Sequence, residues 1–265
     1  MKSKIDASTF GDWALITGAS SGIGEAFAYR LAANGFNLVL VARRKELLQE
    51  LGRKLSIRYD IRCRAIQADL TRTDDIDSVI ERTDDLDIGL LISNAGTGDV
   101  GRFFDRSAGG LVERVHLNAT SHLLITHHFG KKMALRKKGG ILLTGAMGAV
   151  EGVPYMATEA ATKGFVQALG KSLHAEFKEF GMHITVLVTT PTETAVFYKL
   201  GFSLDNTPVK PLAVEQCVTE ALNALAKNKM LVYPGLKFRV MRALMPESFS
   251  RKMSTRLLKR NNNIL

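Results

Sequence analysis

Glu159 and Lys163 stand four residues apart in Pro154-Tyr155-Met156-Ala157-Thr158-Glu159-Ala160-Ala161-Thr162-Lys163-Gly164-Phe165, a spacing that puts both on one face of a helix. A carboxyl and an amine so placed either form an exposed pair that adds about 0.2–0.5 kcal/mol to the helix or serve proton transfer. Far upstream, Gly18-Ala19-Ser20-Ser21-Gly22-Ile23-Gly24 is built for phosphate. Its glycines let the backbone come close to a pyrophosphate, and the helix that follows offers free N–H groups and a partial positive charge. Alone, such a loop is equally a tight turn that binds nothing. Arg43-Arg44-Lys45 add guanidinium groups, whose fork matches phosphate oxygens. His122, His127 and His128 have no acid or thiol at a convincing ligand spacing, and Cys63 and Cys217 lie far apart, so neither a metal site nor a disulfide is expected.

These groups need a scaffold, and the chain supplies one by alternation. Short β-branched runs at Trp13–Thr17, Asn37–Val41, Ile61–Gln67, Ile88–Ser93, Ile141–Thr144 and His183–Val188 read as strands. Between them, Gly22–Asn34, Lys45–Ile57, Thr73–Arg82, a long stretch from about Ser107 to Arg136, and Tyr155–Phe180 read as helices. Strands that are continuously apolar between helices imply a parallel sheet covered on both faces, a doubly wound α/β fold with its ligands beyond the carboxyl ends of the strands.

The chain has 265 residues, 46% hydrophobic and 23% charged, enough for a sizeable core. No Pro-, Gly- or Ser-rich linker divides it, and a single domain over 1–265 is expected. Met1 to Phe10 lack a secretory pattern and no apolar run is long enough to span a bilayer, which with the cysteine usage points to a cytoplasmic protein. The net charge of +10 is concentrated at the end. Lys227–Leu265 contains ten Lys/Arg and the single acid Glu247.

The run Trp13-Ala14-Leu15-Ile16-Thr17-Gly18-Ala19-Ser20-Ser21-Gly22-Ile23-Gly24 resembles the Thr-Gly-x-x-x-Gly-x-Gly signature of the short-chain dehydrogenase/reductase family, and the resemblance extends from about Gly11 to Thr194. Asp69-Leu70, Asn94-Ala95-Gly96, Asn118 and Lys163 match further family motifs in the right order. The resemblance implies a Rossmann-type fold and a nicotinamide dinucleotide held by Gly18, Ser20, Ser21, Gly22, Ile23 and Gly24, with Asp69 and Leu70 at the adenine ring. Asn94, Ala95 and Gly96 would border the cofactor, and Thr192 and Thr194 would contact its carboxamide and phosphates. Asn118 would hold a water in a proton relay, and Lys163 would hold the nicotinamide ribose. At the end of the second strand a carboxylate would select NAD, whereas Arg43 and Arg44 accept a 2′-phosphate, so NADP(H) is the expected cofactor.

Two positions depart from the family. Ala146 stands where it keeps a catalytic serine and Glu159 where it keeps the tyrosine that transfers the proton. Ala146 cannot donate a hydrogen bond. Glu159 is open to three readings: an ion pair with Lys163, a carboxyl made to donate a proton by apolar neighbours such as Met147 and Met156, or a base for other chemistry. Tyr155, about 12 Å along a helix from Lys163, cannot replace the missing tyrosine. The expectation is a weak or atypical oxidoreductase, against which stand a non-catalytic NADP(H)-binding sensor or scaffold and a reductase of a hydrophobic carbonyl that uses Glu159.

The apolar stretch from Ala195 to Lys210 falls where the family has its substrate lid, and it suits a hydrophobic substrate or core packing equally. Leu236–Leu265 is expected to be a basic, amphipathic helical tail, of the kind that lies weakly on anionic membranes or that covers a core. No nucleic-acid reader accompanies the charge. A homodimer or homotetramer is implied by the resemblance alone.

Overall fold

A computed structural model describes residues 5–264. Met1–Lys4 of the N-terminal stretch and Leu265 of the basic tail lie outside the described residues. In chain order the elements are α1 (Ala7–Phe10), β1 (Trp13–Thr17), α2 (Gly22–Ala32), β2 (Asn37–Ala42), α3 (Lys45–Tyr59), β3 (Cys63–Gln67), α4 (Thr73–Glu81), β4 (Ile88–Ser93), α5 (Ala108–Val115), α6 (Ser121–Leu135), β5 (Gly139–Ala146), α7 (Ala157–Lys178), β6 (Met182–Thr189), α8 (Ala195–Lys199), α9 (Val214–Ala226), β7 (Leu231–Val232), α10 (Leu236–Leu244) and α11 (Glu247–Asn261). The strands pair in parallel in the order β3-β2-β1-β4-β5-β6-β7. The doubly wound parallel sheet is therefore as expected.

The burial of β1 explains why the strands are continuously apolar. Ala14 and Ile16 face one core layer with Phe27, Leu31 and Leu222, while Trp13 and Leu15 face the other with Ile125 and Phe129. With both faces covered by helices, the two-residue period leaves no polar side.

The structure corrects three local expectations. The helix expected from Ser107 to Arg136 is broken by a π-helical turn at His116–Thr120 between α5 and α6. One extra residue in such a turn re-aims its side chains, and the turn buries Asn118 completely. The helix expected from Tyr155 begins at Ala157, because Tyr155 has φ +68°, a left-handed conformation incompatible with the helix. Its distance from Lys163 is thus not a helical one. Last, β7, α8 and α9 continue the fold beyond the assigned pattern, whereas α10 and α11 form the basic helical tail that was expected.

The tail is packed. Phe238 of α10 and Leu258 of α11 are buried, while Asn262 donates to the carbonyl of Leu200 at 3.1 Å and Arg260 to that of Asn206 at 3.0 Å. It covers core and clasps the 195–210 segment. No helix among the described residues is long and apolar enough to cross a membrane.

Candidate functional site

The glycine-rich loop follows the carboxyl end of β1, and its glycines are sterically required. Gly18 and Gly22 have φ +68° and +60°, and a Cβ on Gly24 would lie 2.2 Å from the Gly18 carbonyl oxygen. The loop ends at the N-terminus of α2, where the Ser21 side chain makes no capping bond, so the first N–H groups of the helix are left for a ligand. Arg44 reaches across from the end of β2. Its Nη2 donates to the hydroxyls of Ser20 and Ser21, both at 2.9 Å. A guanidinium, two serine hydroxyls and a helix N-terminus thus converge at one spot, a donor set that fits a phosphorylated dinucleotide.

The loop is anchored from the next strand. The backbone N–H groups of Asn94 and Ala95 both donate to Thr17 Oγ1 at 2.9 Å, and Asn94 Nδ2 donates to the Thr17 carbonyl at 3.2 Å. Behind them His122 is fully buried between Ser93 Oγ (2.8 Å from Nδ1) and the Ala95 carbonyl (3.0 Å from Nε2). A carbonyl only accepts, so Nε2 carries the proton and Nδ1 accepts from Ser93. Burial first, and then the charge of Lys163, push its pKa down to about 3, so it is a neutral tie between α6 and the Asn94-Ala95-Gly96 turn. It was singled out in the sequence only as an unpromising metal ligand; its position in the first turn of a helix facing an apolar strand was the available signal. Among the described residues no group of three or more His, Cys, Asp or Glu could hold a metal.

Lys163 lies deep in the cleft. Its Nζ donates to the Thr144 carbonyl at 2.9 Å, and a side chain on Gly96 would meet both Lys163 Nζ and Asn118 Oδ1, so the three positions are neighbours. Burial lowers its pKa to about 8. Asn118 is held at both ends by Thr97, accepting from its N–H at 2.9 Å and donating to its carbonyl at 3.0 Å. Ala146 ends β5, its carbonyl accepting from Gln167 Nε2 at 2.7 Å while its side chain offers only a methyl.

Glu159 is buried, 8% exposed, and its partner is not Lys163. Arg114 of α5 donates to Glu159 Oε1 at 2.7 Å and, through its other nitrogen, to Asp99 at 2.6 Å. Arg106 completes the chain, 2.9 Å from the same Asp99 oxygen. Burial alone would raise the Asp99 pKa, but Arg114 and Arg106 together hold it below the ordinary carboxylate value. Beside this cluster a cavity of about 300 Å³ opens, lined by Phe103, Phe104, Leu111, Tyr155 and Thr158 among others. Arg114 and Asp99 escaped the sequence reading because 45 residues separate Arg114 from Glu159. Its place four residues before Asn118, on the same helical face, was the clue.

The other expected residues surround the cleft. Asp69 accepts from the N–H and hydroxyl of Thr71, and Leu70 is buried. Thr192 is buried and donates to the Thr190 carbonyl at 2.8 Å. Thr194 caps α8 and lies against Gly22. Leu200 and Val196 approach Gly98, which brings the 195–210 segment over the cleft. Phe197 packs inward, 5% exposed, while Val196 and Tyr198 are exposed, so the segment serves the core and the cleft wall together.

Comparison with known proteins agrees with this geometry. A family described as short chain dehydrogenase matches residues 12–201. The chain is 37% identical over 191 residues to the very-long-chain 3-oxoacyl-CoA reductase of Neurospora crassa, covering 70% of this chain and 58% of that protein, so it spans little more than half the length of that relative. It is 31% identical over 226 residues to the 17-beta-hydroxysteroid dehydrogenase type 3 of Mus musculus, covering 82% of this chain and 73% of that one. Among solved structures, a short-chain dehydrogenase from Sphingobium yanoikuyae in complex with NADPH superposes with a TM-score of 0.79 at 30% identity, over 87% of this chain and 92% of that one. A 7beta-hydroxysteroid dehydrogenase, 24% identical, shares the fold with a TM-score of 0.85 over 94% and 98% of the two chains. The matched family, the relatives above 30% identity and the loop, asparagine and lysine arranged at the ends of one parallel sheet lead to one conclusion: the chain belongs to the short-chain dehydrogenase family of oxidoreductases.

Proposed function

We propose that this protein binds NADP(H) as a short-chain dehydrogenase/reductase whose catalytic set is altered at Ala146 and Glu159, leaving weak or atypical oxidoreductase activity. The dinucleotide supplies a hydride when bound. Gly18, Ser20, Ser21, Gly22, Ile23 and Gly24 would hold its pyrophosphate, Arg43 and Arg44 its 2′-phosphate, and Asp69 and Leu70 its adenine. Asn94, Ala95 and Gly96 would border it, Lys163 would hold its ribose, and Thr192 and Thr194 its carboxamide and phosphates. The contact of Arg44 with both serine hydroxyls supports this assignment.

The observation that carries the altered-catalysis reading is the Arg114–Glu159 bond. A carboxylate at this position repels negative charge developing on a carbonyl oxygen, and although Glu159 lines the cavity with Phe103, Phe104 and Leu111, it is engaged there by a guanidinium. Losing an acid/base group costs a factor of ~10²–10⁴ and losing an oxyanion donor ~10²–10³, although groups that act as a unit do not multiply. The same bond favours a non-catalytic, cofactor-binding sensor or scaffold over a reductase that uses Glu159 as proton donor. The decisive experiment measures NADPH binding by calorimetry and then carbonyl reduction over a panel of hydrophobic ketones. Wild type should bind cofactor and turn over little, and Ala146→Ser with Glu159→Tyr should raise turnover, because Lys163 and Asn118 are already in place. Brisk turnover abolished by Glu159→Gln would show Glu159 to be the proton donor.

Exposed apolar residues on α5, α6 and α7, namely Val112, Val115, Leu123 and Phe165, support a homodimer or homotetramer. Cys63 and Cys217 are both free thiols, which suits the cytoplasmic location that we also propose.

A further inference from the structure

We propose that the outer face of α10 and α11 is a docking surface for an anionic lipid bilayer. α10 carries two apolar faces. One, with Phe238 at 1% exposure and Met241, is packed on the core. On the other, Leu236, Val240 and Leu244 recur every fourth residue and are 66%, 46% and 78% exposed. At about 100° per residue these three subtend an arc of about 80°, with Lys237 on one side and Arg239 on the other. Covering the core explains the first face and leaves the second turned to water.

Past the Pro246 turn, α11 carries exposed apolar surface of its own. Phe249, 57% exposed, shares a face of α11 with the exposed cations Lys252 and Arg256. Charge singles out the occupant. The segment Lys227–Leu265 holds ten Lys/Arg and one Glu, a net +9, against +1 for everything before it. Not all of this charge is available, since Arg239 is paired with Glu220 at 2.7 Å, Lys237 donates to the Lys210 carbonyl and Arg242 lies over the Tyr233 ring. Arg251, Lys252 and Arg256 of α11 are exposed, and Glu247 is the one acid of the 227–265 segment. A leucine, valine and phenylalanine stripe rimmed by cations meets both its needs at an anionic bilayer, which offers an apolar phase beneath a negative surface. A nucleic acid would leave the stripe in water.

The test is partition of the full-length protein onto phosphatidylcholine vesicles with and without about one-third phosphatidylserine. Binding should require phosphatidylserine and should be lost as salt rises from about 0.1 M to about 1 M, where the screening length falls from ~10 to ~3 Å. The triple variant Leu236→Ser, Leu244→Ser, Phe249→Ser should lower partition at least tenfold, and Arg251→Gln with Lys252→Gln severalfold, with thermal midpoints and circular dichroism unchanged because every substituted side chain is exposed. No binding of wild type at low salt overturns the proposal, as does binding that the triple variant leaves intact. A dimer in solution that the triple variant dissociates, without vesicle binding by wild type, assigns the face to a second copy of the chain instead.

Discussion

Arg114 ties α5 to the start of α7 and to the loop after β4, and its replacement by leucine probes the cluster most directly. The substitution removes a donor 2.7 Å from Glu159 and 2.6 Å from Asp99, side chains that are only 11% and 24% exposed. Breaking a buried ion pair costs about 3–5 kcal/mol because a charge is left uncompensated. Some water reaches this cluster and Arg106 keeps its hold on Asp99 at 2.9 Å, which reduces the expected loss to about 2–3 kcal/mol. For a chain of this size that is a fall in midpoint temperature of roughly 4–10 °C. Glu159→Leu leaves Arg114 with Asp99 and should cost about 1–2 kcal/mol. The double variant retains only Asp99 with Arg106, so its loss should fall short of the sum by about 1–2 kcal/mol. Urea unfolding measures all three, with stability read from the midpoint at unchanged slope. A loss below about 0.5 kcal/mol for Arg114→Leu, or additivity within that margin, would refute the reasoning.

Arg44→Ala should weaken NADPH binding at least tenfold, about 1.4 kcal/mol, and leave NADH nearly unaffected; calorimetry showing equal losses for both would remove Arg44 from the 2′-phosphate. His122 has a folded pKa of about 3 against 6.5 for the free side chain, so between these values the unfolded chain takes up a proton that the folded chain refuses. Its contribution is complete above about pH 6.5 and is lost progressively as pH falls. His122→Asn should be less stable at pH 7 for want of its two hydrogen bonds, yet should lose less between about pH 7 and pH 5 than wild type. Urea midpoints at the two pH values decide it, and parallel declines would count against the assignment.

The sheet was legible because the inner strands are buried on both faces and mostly apolar, as Ala14-Leu15-Ile16 and Leu90-Leu91-Ile92 show. β7 was not, since Leu231–Val232 is too short for any period and its pairing with β6 depends on the whole sheet. The glycine-rich loop was legible because backbone clearance is a local demand. The π-turn at Asn118 and the left-handed Tyr155 were hidden by helical patterns that run through them unbroken. Glu159 misled for a related reason. Sequence spacing offers Lys163 as its neighbour, whereas the partner comes from another helix.

β7 also bears on how copies of this chain can meet. The last strand contributes only two registered positions to the sheet, and the chain leaves it at Pro234, which has no N–H to donate. An edge this short offers almost no ladder on which another strand could build. Continuation of the sheet from one molecule into the next is blocked on that side, so self-association there would have to proceed through helices, and strand-by-strand growth has no starting point at this edge.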